Sequence, residues 1–76
     1  HKLGSNANKQ GDFEGALDYF QQARPVAEAD SALSDLEVIY SGMKDSYVGL
    51  KNFERAFHYS QLYNKVHDKV AYRSMA

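Results

Sequence analysis

Apolar residues along this chain recur every third or fourth position, the period of a helix face turned toward a core. The clearest run lies between about Ser31 and Leu50, where Leu33, Leu36, Tyr40, Met43, Tyr47 and Leu50 fall on one stripe. It predicts a helix of roughly five turns. Asp30 and Ser31 stand just ahead of it, and either would cap its first turn by accepting a backbone N–H bond. Ala56, Tyr59, Tyr63, Val66 and Val70 predict a second long helix, from about Asn52 or Phe53 to near Arg73. Only Lys51 and Asn52 separate the two stripes. So short a connection folds the helices back on each other as an antiparallel hairpin.

The first half shows the same arrangement in shorter form. A helix is predicted from about Lys2 to Gln10, then a turn at Gly11 and Asp12, then a helix beginning at Phe13. Gly11 accepts the positive φ that a helix C-terminus often requires. Pro25 lacks an N–H and crowds the carbonyl of Gln21, which predicts a kink or stop there, with helix resuming to about Glu28. Shifting the chain by 40 residues against itself sets Phe13 on Phe53, Glu14 on Glu54, Ala16 on Ala56, Tyr19 on Tyr59 and Gln21 on Gln61. Agreement in one register marks two repeats, about 1–29 and about 31–75, in a single domain spanning 1–76. The fold expected is all-α, two stacked antiparallel hairpins, with Ala16, Phe20, Leu36, Tyr40, Met43, Tyr47, Phe53 and Ala56 buried. The aromatic that opens each second helix would plug the hairpin's end.

Composition narrows the function more than it names one. Net charge is -1, and the basic residues are scattered, which argues against a nucleic-acid partner. The chain has no cysteine, so neither disulfides nor thiolate metal sites support it. No uncharged stretch is long enough to span a bilayer, and the first residues do not read as a leader. His58 and His67 are nine residues apart and point to opposite sides of a helix, so they share no ligand sphere, and His1 stands at the first position. The carboxylates Glu28, Asp30, Asp35 and Glu37 read as a solvated face and helix N-terminal charges. Tyr40, Tyr47 and Tyr63 fall on the apolar stripes, so they read as core. No phosphate loop, nucleophile elbow or metal motif occurs, and neither an enzyme nor a cofactor is expected.

One face invites a partner. Beside the core stripe of the helix from Ser31 to Leu50 lie Val38, Ser41, Gly42, Asp45, Val48 and Gly49. Glycine inside a helix costs about 1 kcal/mol relative to alanine. Two on one face imply that something comes close, either a neighbouring helix or a bound segment.

The residues Leu3-Gly4, Ala7, Gly11, Phe13, Ala16, Phe20 and Ala23 resemble the tetratricopeptide repeat pattern. In the second half Tyr40, Met43, Tyr47, Phe53 and Ala56 fit it as well, whereas Lys44 and Lys51 replace the two glycines, and Ser60 and Tyr63 stand for an aromatic and an alanine. Such departures are those of a terminal repeat. The long period resembles arrays in bacterial sensory and regulatory proteins, including histidine-kinase sensor regions. The resemblance implies a scaffold, a terminal fragment of a longer array, that binds a protein or peptide in a concave groove lined by the first helix of each hairpin. It adds Ser5, Asn8 and Lys9 to that groove. The arrangement some members use to clamp a C-terminal carboxylate is not evident, and Asp45 would repel one. The alternatives are a ligand-sensing region of a bacterial signalling protein and a structural spacer.

Only about ten residues precede Gly11, where some twenty would match the helix that follows Ser31. Leu33, Leu36 and Ile39 are therefore expected to lack part of their cover, which predicts self-association into a homo-oligomer.

Overall fold

A computed structural model describes residues 2–75, so His1 lies outside the described residues. It contains four helices: α1 (Lys2–Lys9), α2 (Phe13–Ala29), α3 (Leu33–Gly49) and α4 (Phe53–Met75), with no strand among the described residues. The fold is all-α. α3 is the central helix, packed most extensively on α4, then on α2, and lightly on α1, while α1 and α2 pack on each other. Each neighbour in the chain is thus a neighbour in space. None of these helices is long and apolar enough to cross a membrane.

The same turn joins the helices three times. Gly11, Ser31 and Lys51, twenty residues apart, take φ of 84°, 53° and 63°. In each turn this residue's N–H bonds back to the third residue before it, and the next N–H reaches the fifth before its own. Asp12 N–H meets the Ala7 carbonyl at 2.8 Å, Ala32 that of Ala27 at 3.0 Å, and Asn52 that of Tyr47 at 2.8 Å. These bonds satisfy carbonyls that a helix end leaves over. Ser31 and Lys51 hold a left-handed conformation that costs a side chain about 1–2 kcal/mol, so geometry persists where glycine is missing.

Two details differ from the expectation, each for a local reason. Neither Asp30 nor Ser31 caps α3. Asp30 closes α2, Ser31 is the left-handed residue, and Ala32 stands at the cap position with no side-chain bond. Capping side chains occur instead at Asp12, whose carboxylate accepts from Gly15 N–H at 3.1 Å, and at Asn52, which accepts from Arg55 N–H at 3.3 Å. Nor does α2 stop at Pro25, since Pro25 and Gln21 both lie on the exposed side, where water can take up the carbonyl that the ring leaves without a donor.

The core gathers Ala16, Leu17, Phe20, Leu36, Ile39, Tyr40, Met43, Tyr47, Ala56, Tyr59 and Val66. Seven of the eight residues expected inside are there, and Phe53 is the exception at 63% exposed. Phe13 lies against Gly49, but no helix passes over Phe53. Leu36 and Ile39 are buried and Leu33 half-buried, because α2 is long enough to cover them with α4. The bare stripe on which self-association was expected does not exist. Large apolar side chains emerge elsewhere, at Leu3, Phe53, Phe57 and Tyr72 among others.

Tyrosines join α3 to α4, as the stripe positions imply. The rings of Tyr47 and Tyr59 stack at 5.6 Å, and Tyr40 lies 6.1 Å from Tyr59. Polar tips tie in α2: Tyr40 hydroxyl donates to Glu28 at 2.8 Å, and Arg24 donates to the Tyr59 hydroxyl at 2.8 Å. Burial, then the bond to the Glu28 carboxylate, pushes the Tyr40 phenol up to about 12. Because the folded chain holds this proton more tightly than the unfolded one, the stabilisation is present in full below about pH 10 and is lost as pH rises toward about 12. Because the phenol is only partly desolvated, the loss should stay within about 1–2 kcal/mol. Urea unfolding followed at increasing alkalinity should show it, and Tyr40→Phe should remove that part of the slope. An unchanged slope in the variant would mean other groups cause the alkaline loss.

Candidate functional site

The groove follows from how α1 meets α3. Gly4 on α1 and Gly42 on α3 both face the Phe20 ring of α2, which is fully buried between them. A side chain at either glycine would overlap the ring. That contact draws α1 and α3 together, and Asn8 fixes their register. Its amide donates to the Gly42 carbonyl at 3.1 Å, while its oxygen accepts from the Ser46 hydroxyl at 2.7 Å. Flipping the amide would set two oxygens face to face, so the network defines its orientation. Ser46 is fully buried, and its one hydroxyl proton has two acceptors within reach, the Asn8 oxygen and, at 2.9 Å, the Gly42 carbonyl.

Above this junction lies a half-open groove of about 350 Å³ lined by Ser5, Asn8, Lys9, Glu37, Val38, Ser41, Gly42, Asp45 and Tyr63. Of the sequence-derived residues, Ser5, Asn8, Lys9, Val38, Ser41, Gly42 and Asp45 come together here. Val48 and Gly49 do not. Val48 is about half exposed away from the groove, and Gly49 makes room for the Phe13 ring. Both glycines are therefore explained by helix packing, the first of the two possibilities their positions raised. Gly42 still borders the groove through its backbone, and Asn8 borders it with its amide already engaged.

Charge within the groove is mixed along its length. Asp45 has Lys44 beside it at 3.2 Å. Lys9, next to Asn8 on α1, adds an ammonium to the lining. Glu37, more than a turn toward the other end, meets His67 Nδ1 of α4 at 3.4 Å, a pair that is ionic only when the histidine is protonated. Tyr63 stacks on His67 with centroids 5.6 Å apart. Glu37 and Tyr63 are the lining residues that sequence reasoning missed. Glu37 had a signal, because it lies four residues before Ser41 and eight before Asp45 on one helical face. Tyr63 had none, since its position on the apolar stripe marks it as core.

No family model, curated protein or solved structure matches the chain. What the groove can do must therefore be argued from its chemistry. No group of three or more histidines or carboxylates among the described residues is placed to hold a metal. Most lining residues carry a polar or charged group, and the groove is half-open, whereas small-molecule pockets are more enclosed. A shallower depression of about 330 Å³ lies between Leu33 and the end of α4, at Asp68, Lys69 and Tyr72. It brings one acid and one base together with no third charged group.

Proposed function

We propose that this chain is a protein-interaction scaffold of the tetratricopeptide kind, a piece of a longer array, that holds an extended peptide segment in the groove between α1 and α3. The observation carrying the reading is the division of labour among the helices. The first helix of each hairpin lines one open face with polar and charged side chains, joined by Tyr63 of α4, while α3 turns Leu36, Ile39, Tyr40, Met43 and Tyr47 away from it into the core shared with α2 and α4. The side chains there offer hydroxyl, amide, ammonium and carboxylate groups, a set suited to the backbone and polar side chains of a peptide. A spacer would not need such a face, and a ligand sensor would be better served by an enclosed apolar cavity.

Selection of random displayed peptides on the immobilised chain, followed by affinity measurement, tests the proposal. Ser41→Arg, which fills the middle of the groove from a half-buried position, should weaken selected peptides by about tenfold or more, the loss of 1–2 kcal/mol expected when a contact surface is blocked. Helix content by circular dichroism should stay unchanged. Peptides indifferent to this variant, or no peptide retained above background, would count against the groove.

A further inference from the structure

The unevenness of charge along the groove narrows its ligand. We propose that the groove takes a peptide through a lysine or arginine side chain whose cation rests on Glu37 beside the Tyr63 ring. This depends on the peptide-binding reading above and adds to it the chemistry of the anchoring residue.

Among the described residues, Glu37 is paired with no lysine or arginine. Its Oε2 is closed off from solvent and receives no hydrogen bond, and the basic group within ion-pair reach is His67, at 3.4 Å. The side chain as a whole is 29% exposed and borders the groove. With Oε2 closed off beside His67, it is the exposed remainder of the Glu37 side chain that faces whatever occupies that space. Of the other charged lining residues, Asp45 stands two turns further along α3, where Lys44 already accompanies it. An added cation would therefore find its strongest attraction at Glu37, in a partly desolvated place where a charge-assisted bond is worth more than on an open surface. Tyr63 reinforces the choice. Its ring borders the same end of the groove, and an aromatic face attracts a cation passing over it. An acidic side chain or a terminal carboxylate would meet repulsion from Glu37 and Asp45 together.

The test is a backbone-amide NMR titration of the whole chain with three acetylated, amidated alanine pentapeptides whose central residue is arginine, glutamine or glutamate. The arginine peptide should shift the amides around Glu37, Ser41, Asp45 and Tyr63, and bind about threefold to tenfold more tightly than the glutamine peptide, with glutamate weakest. Glu37→Gln should erase the preference for arginine over glutamine. Raising salt on the unaltered chain should shrink it as well, a measurement that needs no variant to fold. Equal binding of all three peptides in the groove would overturn the charge assignment and leave the peptide-binding reading standing. Shifts confined to residues outside the groove, or none at all, would overturn both.

Discussion

Phe20→Ala should destabilise the chain by about 3–5 kcal/mol and leave it largely unfolded at room temperature. The ring is fully buried, bracketed by Gly4 and Gly42 on two different helices and met edge-on by Tyr19 at 5.7 Å. Removing it opens a cavity where three helices meet, and the walls cannot close on it because Asn8 already fixes the separation of α1 from α3. A chain this short has little stability in reserve. Urea unfolding monitored by far-ultraviolet circular dichroism would decide it. A loss below about 1 kcal/mol would mean that the three helices do not depend on this ring.

Gly42→Leu should be nearly as damaging, with groove and fold lost together. The added side chain points not into the groove but at the Phe20 ring, which has Gly4 behind it and nowhere to retreat. Overpacking of this kind costs about 1–3 kcal/mol and more when the neighbours are held. Gly42→Ala makes the sharper measurement. In an exposed helix that exchange stabilises by about 1 kcal/mol, so a destabilised alanine variant reverses the ordinary sign. Combining it with Phe20→Leu, which shortens the obstructing group, should recover part of the loss, the coupling expected of residues in contact. A stable, fully helical Gly42→Leu chain that merely fails to bind peptide would show that the position serves the groove after all.

The fold was largely legible because helical spacing is a strong signal and the connections are short. Leu33, Leu36, Tyr40, Met43, Tyr47 and Leu50 place α3 almost to its ends. Burial of neighbours was less legible where it depends on a third element. Phe13 and Phe53 look alike in sequence, yet only Phe13 has a helix beside it. Leu36 and Ile39 looked uncovered because α1 is short, but α2 reaches them. The candidate site was read about as far as one helix face allows. Ser41, Gly42 and Asp45 share that face, whereas Tyr63 arrives from another helix through tertiary packing that no local pattern records. Gly42 and Gly49 announced a close approach without saying by what, and only the rings of Phe20 and Phe13 supply the answer.

The left-handed residue that recurs at positions 11, 31 and 51 gives the chain a fixed metre. Combined with the two phenylalanines left in the open on α4, it makes the architecture directional. At positions 13 and 17 the equivalent side chains are half-buried and 8% exposed, while at 53 and 57 they are 63% and 64% exposed. A further helix set in the same metre, after one more three-residue turn and with a glycine where Phe53 would touch it, would meet a seat already cut to its shape. The α1 positions that correspond to Gly42, Ser46 and Gly49 are Lys2, Asn6 and Lys9, so neither glycine is repeated there. Modules built from this sequence should accordingly accept an added hairpin after α4, where Phe53 and Phe57 stand exposed to meet it.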